Sequence, residues 1–172
     1  MIHLPYTHPL YVAYCTYFNG NQDYFECHEV FEEYWKEVAP GDKEHVLVGL
    51  VQLATGMYHW RRGNFNGSAR ILTKSLHILQ QNRHSAFLEP LDNRLLEQQI
   101  FQAIEAIEQQ KPFQSFKLSI LDPVFRATVD SNIAALPPAD EEYLLHKHML
   151  RDRSEVLEAR MTKIAMKKEG RK

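Results

Sequence analysis

Ala39-Pro40-Gly41-Asp42 separates two stretches whose apolar residues recur every three or four positions. A chain that leaves one helix, turns within so few residues and enters another must fold back, so the two helices lie antiparallel. The spacing predicts a helix from about Asn21–Asp23 to Val38, with Phe25, Phe31, Trp35 and Val38 on its apolar face. It predicts a second from Lys43 to Arg62 carrying Val46, Leu50, Leu53, Met57 and Trp60, with Asp42 able to cap it. Two arginines and then Gly63 close that helix: cations near the carbonyl end, followed by a residue that tolerates positive φ. Asn64 caps a third helix striped by Ile71, Leu72, Leu76 and Leu79, and the short "GN" link makes this one antiparallel too.

The rest of the chain extends the same pattern. The first twenty residues hold two prolines and Asn19-Gly20, and read as an irregular or partly helical lead-in. Leu95, Leu96, Ile100, Ile104 and Ile107 mark a helix from about Leu91 to Gln110. "KPFQSFKLSILDP" reads as loop. "LPPADEEYLL" opens a long terminal helix, where Tyr143, Leu150, Leu157 and Ile164 recur at sevens, a seam that docks on the body or joins two copies in a homodimer. With no strand–helix alternation, the expected fold is all-α: antiparallel helical hairpins packed into a small bundle, with a long C-terminal helix. The expected organisation is a helical domain over 1–136, with its core hairpins at 19–80, and a docked terminal helix with a basic tail over 137–172.

Charge and composition exclude several classes. A net charge of -2 argues against a protein built mainly to hold nucleic acid, although from Arg151 onward bases outnumber acids. The longest apolar run, Val46 to Val51, is far short of the roughly 20 residues of a membrane span. "MIHLPYTHPL" lacks the pattern of an export signal. Cys15 and Cys27 make no CxxC or metal-knuckle spacing, and a reducing, cytoplasmic setting is expected.

The chemistry concentrates in "YFECHEVFEEYWKE", Tyr24 to Glu37. His28 and Glu32 are four apart and share a helix face, as do Glu29 and Glu33, while Glu33 and Glu37 suit the wet side. Folding back at Pro40-Gly41 sets His28 level with Gln52, Glu32 level with Val48 and Gly49, and His59 near Asn21 and Gln22. A half-buried Gln52 needs partners, and His28 with Glu32 are the candidates. Gly49 and Gly56 each cost a mid-helix position about 1 kcal/mol relative to alanine, which points to close packing or room for a polar group. His28, Glu32 and His59 are the donors that could hold a divalent zinc, iron or manganese ion. Neither a second His four residues after His28 nor a Glu three before it is present, so the metalloprotease and di-iron patterns are absent. His28, Glu29 and Glu32 could otherwise act as a metal-free acid–base group. Cys27 beside His28 points another way round the helix and makes a poor nucleophile pair. Arg61, Arg62 and Arg70 around Asn64 form a candidate anion site, or an ordinary solvated helix end.

Two blocks, "NGNQDYFECHEVFEEYW" and "GLVQLATGMYHWRRGNFNGSARIL", occur in order with a short connection. They resemble the bacterial family catalogued as domain of unknown function 309, over about Asn19 to Leu79. The resemblance implies packed helical hairpins and no reaction. It places Glu26, His28, Glu29, Glu32, Trp35, Gln52, Tyr58, His59, Gly63, Asn64 and Gly67 at the family's signature positions, with Ser68 where alanine is usual.

Three functional readings follow. In the first, the chain is a helical scaffold or interaction protein with a buried His/Glu/Gln network between the two signature helices. In the second it is a small metal-dependent or acid–base, hydrolase-like enzyme using His28, Glu29, Glu32 and His59, with Glu26, Trp35, Gln52, Tyr58, Arg62 and Asn64 as binding residues. In the third, Arg61, Arg62, Arg70 and the terminal basic helix bind nucleic acid or another anion.

Overall fold

The computed structural model describes residues 4–138 and 140–150. The first N–H groups of a helix find no acceptor inside it, and this chain supplies a side-chain acceptor at each start. His8 caps α1 (Pro9–Asn19), Asp23 caps α2 (Tyr24–Val38) and His45 caps α3 (Val46–Arg61). Asn64 caps α4 (Phe65–Gln81), Asp92 caps α5 (Asn93–Glu108) and Asp122 caps α6 (Pro123–Ala134). Asp140 accepts from the N–H groups of Glu142 and Tyr143 at the start of α7 (Glu141–Leu150). Among the described residues the fold is all-α, with one isolated antiparallel bridge between Leu91 and Ile120.

The lead-in, expected to be irregular or partly helical, holds the full helix α1, and α6 stands where no helix was expected, in the stretch after the expected loop. Both start with proline at the first helical position, where the missing N–H costs nothing and the fixed φ suits the helix. Read as breakers, Pro9 and Pro123 hide the helices they begin. The 111–122 segment is non-helical, as expected. The terminal helix is described only as α7, with non-helical backbone at His146, and the seam positions Leu157 and Ile164 lie outside the described residues. By contacts the chain divides into two units, Met1–Ala139 and Asp140–Lys172.

Within the first unit α3 is central, with α2 and α4 packed against it and Leu47, Leu50, Leu53, Ala54 and Met57 fully buried. An aromatic cluster locks α1 to α2. Tyr14 stacks on Phe31 at 3.9 Å, and its hydroxyl donates to the Leu50 carbonyl of α3 at 2.6 Å. The Cys27 thiol donates to the Tyr14 carbonyl at 3.4 Å. The non-helical 111–122 segment is pinned by side chains. The Asn19 amide exchanges two hydrogen bonds with the Leu118 backbone, and the Trp60 indole N–H donates to the Lys111 carbonyl at 3.0 Å.

The two α3 glycines explain the α3–α4 contact. Ser75 Oγ donates to the Gly49 carbonyl at 2.6 Å and Ser68 Oγ to the Gly56 carbonyl at 2.7 Å. Glycines and serines are each seven apart, so these bonds form two rungs across the interface. A Cβ on Gly56 would stand 2.4 Å from Leu72 Cδ2, and one on Gly49 would stand 3.0 Å from Ile78 Cγ2. The glycines therefore serve close packing against α4. They do not make room for Gln52 and His28 on the α2 side.

Candidate functional site: the polar seam of α2 and α3

Two contacts fix the register of this hairpin. Arg61 Nη1 donates to the Gln22 carbonyl at 2.8 Å, and the Phe25 and Tyr58 rings lie 6.1 Å apart. One turn further along, His28 comes level with Thr55 and not with Gln52. The cause is the connection. Asp42 Oδ1 accepts from the Glu44 N–H in a turn, and α3 begins at Val46, three residues later than the spacing predicts. The predicted link of Gln52 to His28 and Glu32 is not made, and Gln52 Oε1 is buried without a hydrogen-bond partner.

His28 is instead bracketed on its own helix. Its Nδ1 lies 3.4 Å from Glu29 Oε1 and its Nε2 lies 3.4 Å from Glu32 Oε2. Lys36 Nζ donates to Glu32 Oε1 at 2.9 Å. These side chains are not a buried network: those of His28, Glu29 and Glu32 are 33%, 36% and 37% exposed. The Lys36 hydrogen bond, with His28 nearby, holds the Glu32 carboxyl below its ordinary value, so it is a carboxylate acceptor near neutrality.

His59 belongs to a different cluster. Asn64 Oδ1 accepts from the Gly67 N–H at 3.1 Å as the α4 cap, which turns Nδ2 toward His59 Nδ1, 3.5 Å away. That nitrogen then accepts, which leaves the ring proton on Nε2. Burial, reinforced by Arg62, pushes the His59 pKa down and favours the same neutral ring. Gly63 takes φ +78°, and a Cβ on Gly67 would stand 2.6 Å from Asn64 Nδ2, so both glycines make space for the capping turn. Among the described residues no three His, Cys, Asp or Glu side chains form a group suited to a metal ion. The predicted trio of His28, Glu32 and His59 therefore does not assemble.

The other predicted residues have visible tasks. The Trp35 indole N–H donates to the Asp42 carbonyl at 2.9 Å and ties α2 to the turn. Glu26 sits in the first turn of α2, where its charge suits the helix dipole. Tyr58 is buried, and the Arg62 guanidinium lies 5.6 Å from its ring centre. Arg61 lies 4.9 Å from the Tyr24 ring centre, and burial lowers its pKa. Arg70 is exposed on α4. Arg61 and Arg62 are thus turned to different rings, and Arg61 is held by the Gln22 carbonyl. Cys27 is fully buried and desolvation pushes its thiol well above the ordinary range, so it is no nucleophile for His28. Sequence reasoning missed the Ser68 and Ser75 rungs, although their seven-residue spacing matches that of Gly49 and Gly56.

Two clefts lie elsewhere: a groove of about 530 Å³ with Leu76, Arg83, Asn93, Glu97 and Phe101 in its lining, and a smaller one of about 230 Å³ with Trp60, Gln99, Gln114 and Phe116 in its lining. Neither is lined by His28, Glu29, Glu32 or His59.

The imidazoles give the fold an acid limit. His45 Nδ1 accepts from the Leu47 N–H at 3.1 Å, a bond that protonation would remove, and burial holds the pKa of both His45 and His59 below the ordinary 6.5. The unfolded chain therefore takes up protons first on acidification. Stability is fully present above pH 6.5 and falls as the pH drops below it toward the lowered native values. Urea midpoints measured down a pH series should show this fall, and His45→Asn, a cap that does not titrate, should flatten it in part. A midpoint independent of pH just below 6.5 would contradict the assignment.

Residues 11–71 match the family model described as a domain of unknown function, DUF309. The "uncharacterized protein YpuF" of Bacillus subtilis (strain 168) is 34% identical over 168 residues, which cover 94% of this chain and 97% of that protein. No solved structure matches. No helix among the described residues is long and apolar enough to cross a membrane.

Proposed function

We propose that this chain, which belongs to the DUF309 family, is a cytoplasmic helical interaction module whose α2–α3 seam faces a partner. One observation carries the reading. Trp35, Gly63, Asn64 and Gly67 have structural tasks, whereas His28, Glu29 and Glu32 stand about one-third exposed, with long 3.4 Å contacts from His28 to both carboxylates. Such exposed pairs stabilise a fold by only about 0–1 kcal/mol, so stability gives little reason for them. A shallow row of half-exposed polar side chains suits a protein surface better than an enclosed small substrate.

The combined His28→Ala, Glu29→Ala, Glu32→Ala variant should unfold within about 1 kcal/mol of the parent in urea. In a cell extract it should also run at monomer size where the parent runs larger. A stability loss of several kcal/mol would make the cluster structural and sink the proposal. A parent at monomer size in the extract would sink it too.

A second reading is metal-free acid–base chemistry, favoured by the two carboxylates that bracket the His28 ring. It requires the parent to hydrolyse members of an ester and phosphoester panel, with a pH dependence that His28→Gln abolishes.

A further inference from the structure

The smaller cleft, of about 230 Å³, is walled by α5 and by the non-helical 111–122 segment. Gln99, Gln102, Ala103 and Ala106 line it from one face of α5. Side-chain size explains the space. The buried row of α5 reads Leu96, Ile100, Ala103, Ile104 and Ile107, so Ala103 is the short member among long ones. Trp60 of α3 and Phe116 of the segment add aromatic surface. Three helices hold the segment in place. Asn19 is bonded to the Leu118 backbone, Trp60 donates to the Lys111 carbonyl and Gln99 Nε2 donates to the Lys117 carbonyl. The cleft is therefore built before anything enters it. Charged residues make up 24% of this chain, yet among the described residues none lines this cleft. Its polar side chains are neutral, and one of them is incompletely bonded. Gln99 Nε2 reaches the Lys117 carbonyl only at 3.5 Å, and Gln99 Oε1 is buried without a hydrogen-bond partner among the described residues. Exchanging the amide's oxygen and nitrogen would set two acceptors against each other at Lys117, so the unpaired atom is the oxygen.

We infer that this cleft binds a small, uncharged aromatic ring that carries an amide-like N–H. The size fits one ring with a short polar arm, since a cavity of about 150 Å³ already takes benzene. The ring lies over Ala103 and Ala106 and meets the Trp60 and Phe116 side chains, where aromatic pairs add to the area buried. The N–H supplies the donor that Gln99 Oε1 lacks. The long bond to Lys117 holds the Gln99 amide loosely, and a small rotation presents Oε1 to the ligand. A buried acceptor without a donor is costly, so the donor that pairs it is favoured beyond its contact area. Charge is selected against, because an ion would lose water here and find no counter-charge. This site is separate from the α2–α3 seam and does not depend on the interaction-module reading.

Benzamide is the probe, titrated into the full chain labelled with ¹⁵N and followed by nuclear magnetic resonance. The chain has two tryptophans, and Trp35→Phe identifies the Trp60 indole N–H signal. That signal should shift saturably with a dissociation constant of roughly millimolar, as suits a ligand of this size. Benzoate and benzylamine, of similar shape but charged, should bind at least about tenfold more weakly. Acetophenone, uncharged but without the N–H, should also bind about tenfold more weakly, and Gln99→Met should remove that preference for benzamide. Ala103→Leu fills the cleft and should weaken benzamide at least about tenfold, with circular dichroism checking that the chain still folds. Where it does not fold, the Gln99→Met comparison carries the test. An unmoved Trp60 signal at about 20 mM benzamide overturns the inference. So does equal binding of the charged compounds, equal binding of acetophenone to the parent, or a preference that survives Gln99→Met. A folded Ala103→Leu chain that binds benzamide as the parent does overturns it too.

Discussion

Phe31→Ala should lower the unfolding free energy by about 3–5 kcal/mol, read as a shift of the urea midpoint. Phe31 is fully buried on α2 and its ring stacks on Tyr14 at 3.9 Å. Tyr11 and Tyr34 approach it at 5.3 and 6.1 Å. Truncation therefore removes a side chain's burial, leaves a cavity and ends aromatic contacts that contribute about 0.5–1.5 kcal/mol each. A domain stable by about 5–15 kcal/mol would lose a large share of its margin. Phe31→Leu should cost clearly less, because it refills part of the space. A loss below about 1 kcal/mol for the alanine variant would mean that α1 and α2 are not joined through this stack.

The second large effect sets two principles against each other. Intrinsic propensity says that Gly56→Ala should stabilise α3 by about 1 kcal/mol. Packing says the opposite. The new Cβ would stand 2.4 Å from Cδ2 and 2.5 Å from Cγ of Leu72, which is fully buried and has nowhere to go. Overpacking of this kind costs about 1–3 kcal/mol, and the Ser68 rung to the Gly56 carbonyl would be stretched as the helices part. The expected net result is a destabilisation of about 1–2 kcal/mol. Gly49→Ala, with its nearest contact at 3.0 Å on the Ile78 methyl, should do less harm. An equal or reversed order in thermal unfolding would overturn the packing account.

The hairpins were legible because apolar periodicity, cap residues and short breakers agree over α2 to α5. α1 was legible only as a partly helical lead-in, because the side away from its core is apolar too: Tyr11, Tyr14, Cys15 and Phe18 are buried on one face, and Val12, Ala13 and Tyr17 around the rest leave no polar face to show a period. The geometry of the candidate site was not legible: His28 lies between Glu29 and Glu32, while Gln52 and His59 stand apart from them. Asn64, Gly63 and Gly67 are a capping turn, which their residue types already suggest. The His28–Gln52 pairing failed because a helix hairpin takes its register from where the second helix starts. Asp42 looks like the cap, and His45 caps three residues later.

Cys15 and Cys27 give the molecule a built-in clock. Both thiols are fully buried, and desolvation keeps both protonated in the native state. A thiol reagent added to the folded chain can react only with molecules that have opened around α1 and α2. The rate of alkylation, compared with that of the denatured chain, then reports the free energy of that opening without any added probe. Because Cys27 donates to the Tyr14 carbonyl beside the Phe31 stack, the same clock would show whether that stack opens locally or only when the whole bundle comes apart.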